Sequence, residues 1–143
     1  MKTYSFQEVI ATFSHPSLGV VNVNGAGIGT LGVSMMSDRA TSVVASDGEV
    51  VINKIKDRRG TVTIDLQQVS NLNKDLQKWF NYLENASSAE WALITGLITS
   101  KSTGEQTTCK YGAITKIADK NYGPEQANIS YSLLFADIQN NIV

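Results

Sequence analysis

From Thr61 the chain alternates, with Val62, Ile64 and Leu66 apolar and Thr63, Asp65 and Gln67 polar. A period of two marks a strand with one buried and one wet face. The same row recurs late in the chain, where Ile129, Tyr131, Leu133 and Phe135 alternate with Asn128, Ser130 and Ser132. Between these rows the spacing becomes helical, placing Leu72, Leu76, Trp79, Phe80 and Leu83 on one stripe. The pattern predicts one helix over residues 71–85, capped by Ser70 or Asn71, with its stripe against a sheet. No other stretch carries a comparable stripe.

Further extended segments are expected at residues 4–13, 18–23, 33–36, 41–45, 49–55, 93–98 and 106–117, beside those at 61–69 and 128–135. His15-Pro16 stops the first, because proline has no N–H for a ladder. A glycine-rich bend at Gly25, Gly27, Gly29 and Gly32 follows the second. Ser87 to Glu90 reads as a linker, and Ser102-Thr103-Gly104 and Asn121-Tyr122-Gly123-Pro124 as breaks. Asp47-Gly48 suits a type I′ hairpin turn, which needs positive φ at both central residues. Its arms carry Val43 and Val44 on one side and Val50, Val51 and Ile52 on the other, so both hairpin faces are apolar and each requires a cover. The fold class is mainly β, an antiparallel β-sandwich or barrel with one flanking helix, in a single domain spanning residues 1–143.

Composition narrows the function. Charged residues make up 17% of the chain, below the roughly 25% usual for soluble domains. Such neutral surface suits self-association, and an ordinary Ser/Thr/Asn-rich β domain shows it as well. A net charge of −1 argues against a dominant nucleic-acid-binding surface. The one basic cluster, Lys54, Lys56, Arg58 and Arg59, contains Asp57 and reads as a solvated hairpin end. Residues 2–8 lack the apolar run of a signal peptide, which places folding in the cytoplasm. No window approaches the ~18 apolar residues of a membrane span, so no stable membrane association is expected.

Candidate chemistry is sparse. Gly27-Ile28-Gly29-Thr30-Leu31-Gly32 matches the dinucleotide fingerprint, yet the residues after it are poor helix formers, and the fingerprint must open a helix. His15, the only histidine, reads as an exposed loop residue, and Cys109, the only cysteine, as a buried small hydrophobe. Trp79 and Phe80 belong to the core stripe, while Trp91 packs on the helix end or at an interface. No catalytic residue, cofactor or metal site is assigned, and an enzyme is not expected.

The order of these features resembles the tail tube proteins of contractile-tailed bacteriophages. The resembling runs are Tyr4-Ser5-Phe6-Gln7-Glu8-Val9, the Gly27-Ile28-Gly29 bend leading into Val33-Ser34-Met35, and Ser46-Asp47-Gly48-Glu49-Val50-Val51. Gly60-Thr61-Val62-Thr63-Ile64, the helix and Ile129 to Phe135 complete them. The resemblance implies hexameric rings stacked into an inner tube of the virion tail, assembled in the host cytoplasm. It implies as partners further copies of the chain, a tail sheath, a tape-measure protein, and baseplate and tail terminator proteins, with double-stranded DNA passing through at ejection. Two other readings stay open: the inner tube of a phage-tail-like contractile injection system or bacteriocin, and a noncatalytic β-sandwich binding module. Val43, Val44, Asp47, Gly48, Val50, Val51 and Ile52 are the candidate contact between subunits, unless the hairpin is sandwiched inside its own subunit. Thr63, Asp65, Gln67, Ser130 and Ser132 are the candidate lumen face, unless that face is an ordinary outer surface.

Overall fold

The computed structural model describes residues 8–23, 28–67, 69–116, 118–125 and 127–142. In chain order the elements are β1 (Val9–His15), β2 (Gly19–Val23), β3 (Ile28–Met35), β4 (Ala40–Val44), β5 (Val50–Lys54), β6 (Gly60–Gln67), α1 (Asn71–Asn85), α2 (Ser88–Trp91), β7 (Ile94–Ser100), β8 (Glu105–Ile114) and β9 (Asn128–Ile142). Seven strands form one antiparallel sheet in the order β2-β1-β7-β8-β9-β6-β3, curled into a half-barrel. β4 and β5 form a separate sheet of two.

The alternating rows account for the sheet's centre. Val62, Ile64 and Leu66 of β6 lie opposite Leu133, Tyr131 and Ile129 of β9, and all six are buried. Their polar neighbours face outward, so a slip of one residue would exchange core for solvent along the whole ladder. Helix α1 contacts both β2 and β6, which lie towards opposite edges of the sheet. It therefore spans the curl and buries Leu72, Leu76, Trp79 and Leu83 there, each worth about 1.5–3 kcal/mol of transfer free energy. The Ser70 hydroxyl accepts from the Leu72 N–H at 3.2 Å and caps the helix. Asn73, buried on the same helix, accepts from the Tyr131 hydroxyl at 2.8 Å and ties α1 to β9.

Two glycines make room for aromatic rings. Phe13 lies across from Gly96 and Phe135 across from Gly112, and the two rings stack with centroids 6.3 Å apart. A Cβ at Gly112 would meet the Phe135 ring at 2.3 Å, and one at Gly96 would meet Phe13 at 2.8 Å. Next to Gly112, Tyr111 adopts a φ of 58°. The inward-facing residues change phase there, from Cys109 to Gly112 on β8 and from Phe135 to Ile138 on β9. β8 has one residue more than β7 between matched pairs, as in a β-bulge, which bends the sheet.

Several expectations are corrected. The glycine-rich bend is strand from Ile28 on, with a register shift between Ile28 and Thr30. Gly25 and Gly27, like the Tyr4 to Gln7 start of the first segment, lie outside the described residues. The hairpin turn is not type I′, since Gly48 alone has positive φ, at 89°, and Asp47 does not. The Gly48 N–H donates to the Ala45 carbonyl and the Ala45 N–H to the Glu49 carbonyl, the bonding of a three-residue loop with a glycine bulge. β9 runs seven residues past Phe135 to Ile142, and the Ser87–Glu90 linker contains the short helix α2. His15 is buried: its Nε2–H donates to the Glu90 carbonyl at 2.9 Å and its Nδ1 accepts from the Ser17 N–H at 3.1 Å. It fastens the end of β1 to α2.

Candidate assembly surfaces

β4 and β5 extend the β3–β6 hairpin beyond the body as an arm. Their register pairs Val43 with Val51, and Val44 with Val50 and Ser42 with Ile52 on the opposite face. The five apolar side chains are 50–74% exposed, so neither face of the arm has a cover within the chain. Among the described residues nothing sandwiches the hairpin inside its own subunit. At the tip, the Asp47 carboxylate accepts the Glu49 N–H at 3.0 Å and holds the turn closed.

The arm joins the body at an elbow built on Asp57. One carboxylate oxygen accepts from Arg59 Nε–H at 3.0 Å, and the other from an Arg59 terminal N–H at 2.8 Å and from the Ser37 hydroxyl at 2.6 Å. The Arg59 hydrogen bonds, then that of Ser37, hold the Asp57 carboxyl well below its usual range. The Arg58 carbonyl meanwhile accepts from the Ile138 N–H at 2.9 Å, anchoring the elbow to β9. These bonds tie together the segments that lead into and out of the arm.

Thr63, Asp65 and Gln67 face outward beside Ser132, Ser130 and Asn128 of β9. The structure thus brings the five candidate lumen residues onto one polar face. Asp65 accepts the Thr30 hydroxyl at 2.6 Å and the Ser130 hydroxyl, and these bonds, that of Ser130 first, hold its carboxyl below the usual range. Further polar pairs, Ser14 with Thr95 and Thr12 with Asn22, continue the hydroxyl and amide surface towards the β2 edge. The face therefore carries hydroxyls, amides and the Asp65 carboxylate, and no Lys or Arg stands among these residues.

Gly29 and Gly32 lie within β3, which opens no helix, so the described part of the fingerprint offers no helix N-terminus to a phosphate. Burial pushes the Cys109 thiol up to about 11, leaving it protonated and unreactive at neutral pH. Among the described residues no cluster of three or more His, Cys, Asp or Glu is placed to hold a metal ion, and no helix is long and apolar enough to cross a membrane.

A family model described as Bacteriophage PhiTE tail tube protein matches residues 1–143. The chain belongs to that phage tail tube family. No curated protein sequence matches it. Among solved structures, a chain of the anti-feeding prophage baseplate is 12% identical, with a TM-score of 0.65 and coverage of 100% of this chain and 99% of that one. A chain from the sheath/tube terminator of an extracellular contractile injection system is 9% identical, with a TM-score of 0.64 and coverage of 99% and 98%. A chain of the sheath-tube complex of such a system gives 8% identity, a TM-score of 0.59 and coverage of 99% and 93%. These likenesses bear on the fold, a tube-like half-barrel with its helix. The tail tube family places the chain among structural components of the virion tail.

Proposed function

We propose that the chain is a noncatalytic building block whose hexameric rings stack into the inner tail tube, the conduit for DNA at ejection. The observation that carries this is the arm, apolar on both faces and covered on neither, in a chain matched along its whole length by a tail tube family. Val43, Val44, Val50, Val51 and Ile52 then form the subunit contact, with Asp47 and Gly48 shaping its tip. Ring closure would also pair the two free edges of the large sheet, β2 and β3, which are hazardous in a monomer.

The polar face of β6 and β9 becomes the lumen wall, with Thr63, Asp65, Gln67, Ser130 and Ser132 towards passing DNA. A wall without clustered cations lets phosphates slide. A sheath outside, a tape-measure protein inside, and baseplate and terminator proteins at the ends complete the assembly. The structural neighbours, found in a baseplate, a terminator and a sheath-tube complex, support such partners.

Electron microscopy of the purified protein tests the reading. Rings or tubes are expected, and Val44→Asp and Val51→Asp are expected to abolish them while leaving the monomer folded. A monomer that forms no rings and joins no tube even when a baseplate initiates assembly would overturn it. Asp65→Lys, repeated around a ring, would set a basic collar in the lumen and slow DNA release at low salt. Unchanged release kinetics would place that face elsewhere.

A further inference from the structure

The arm carries opposite charge at its two ends. Asp47 and Glu49 are exposed at the tip, and Arg59–Asp57 at the elbow is the only ion pair among the described residues. At the root, Arg39, Lys54, Lys56 and Arg58, all exposed, line one groove together with Ile55, Ala136 and Asp137. Four cations stand there against one carboxylate, and Gln139 already donates to Asp137 at 3.2 Å.

Within one chain the two ends cannot meet. Lys54 pairs with Ala40 and Val50 with Val44, so the intervening strand holds tip and root apart by roughly 14 Å at ~3.4 Å per residue. That exceeds the screening length of about 8 Å at physiological salt. Among the described residues, neither the acidic tip nor the basic root of the hairpin forms an ion pair within the chain.

We propose that the arm tip of one copy docks in the root groove of the next. Asp47 and Glu49 face Arg39, Lys54, Lys56 and Arg58, while Val44 and Val50 lie over Ile55 and Ala136. The occupant is a second copy of this chain, because it alone is certain to supply both the charge and the apolar tip in matching order. The contact is heterologous: it joins unlike surfaces, leaves a free tip and a free root on every complex, and so propagates until it closes a ring or extends a filament. The inference rests on the tube reading and names the acceptor for the arm.

A charge-swap experiment on the full chain tests it, read by sedimentation and electron microscopy at about physiological salt. One variant carries Asp47→Lys with Glu49→Lys, the other Arg39→Glu with Lys54→Glu. Each alone should lower the assembled fraction about tenfold or more, since like charges then oppose each other in every contact. An equimolar mixture should restore assembly, because each variant's tip now matches the other's root. A fold defect could not be rescued by mixing. If either variant unfolds, Asp47→Asn with Glu49→Gln replaces the tip variant, and its assembly should lose the wild-type salt dependence. Wild-type protein that assembles while the tip variant assembles equally well, or a mixture that stays dispersed, would overturn the docking and leave the tube reading standing. Wild-type protein that never assembles, even when a baseplate initiates assembly, would overturn the tube reading itself.

Discussion

The body and the arm use the same residue types and differ in what lies behind them. In β6, and in β9 as far as Leu133, every buried apolar residue has a polar neighbour on the other face, and the core of the same chain covers the apolar side. In β4 and β5 both faces carry valine or isoleucine, and all five residues of each strand are exposed. A strand's β-propensity is thus no guide to its cover. The apolar rows of β6 and β9 are buried in folding, whereas those of the arm are still exposed to another chain. Stability and assembly should consequently be separable by mutation.

The largest expected effect belongs to the body. Phe135→Ala removes a fully buried ring stacked on Phe13 and should destabilise the monomer by about 3–5 kcal/mol in urea unfolding. Val51→Ala, which removes a side chain of the same apolar character from the arm, should stay within roughly 0.5 kcal/mol of wild type. Equal losses at the two positions would break the comparison. Gly112→Ala should cost about 1–3 kcal/mol, because its new methyl group meets the Phe135 ring and Ile94 carbonyl. Wild-type stability there would mean that the ring moves aside freely. Ser70→Ala sharpens the scale, since a lost helix cap should cost about 1 kcal/mol in the body with no effect on the arm's hydrogen exchange.

The sequence was most legible where structure is local. The stripe from Leu72 to Leu83 and the Ser70 cap lie within one helix, and the rows on β6 and β9 need only their own period. The strand order was not legible, because β1 pairs with β7 and β6 with β9 across most of the chain. His15 looked exposed because its bonding partner, the Glu90 carbonyl, lies 75 residues away. Nothing local announces the positive φ of Tyr111, an aromatic residue where glycine or asparagine would be usual. Of the candidate surfaces, the two-faced hairpin was visible as a pattern and the basic cluster from Lys54 to Arg59 as a run. Arg39 joins that cluster only through the hairpin, where the Ile55 N–H donates to the Arg39 carbonyl at 2.9 Å.

The smallest effect concerns pH, and it too divides arm from body. Asp57 at the elbow and Asp65 on the sheet both have carboxyls held below the usual range, Asp57 by Arg59 and Ser37, Asp65 by Ser130 and Thr30. A lowered folded pKa means that each contributes stability above the unfolded value of about 3.9 and loses it as pH falls through the folded value. Both side chains meet solvent, so the change in global stability should be slight. The site of the change should differ. Asp57→Asn removes the charge that grips Arg59, and faster amide exchange is expected in β4 and β5 at neutral pH, with the body's core amides unaltered. Asp65→Asn should instead flatten the acid limb of the stability curve below about pH 4 and leave the arm's exchange as it is. Arm amides that exchange no faster in Asp57→Asn would show that the elbow's carboxylate does not set the arm's order, and that backbone pairing through Arg58 and Ile138 suffices.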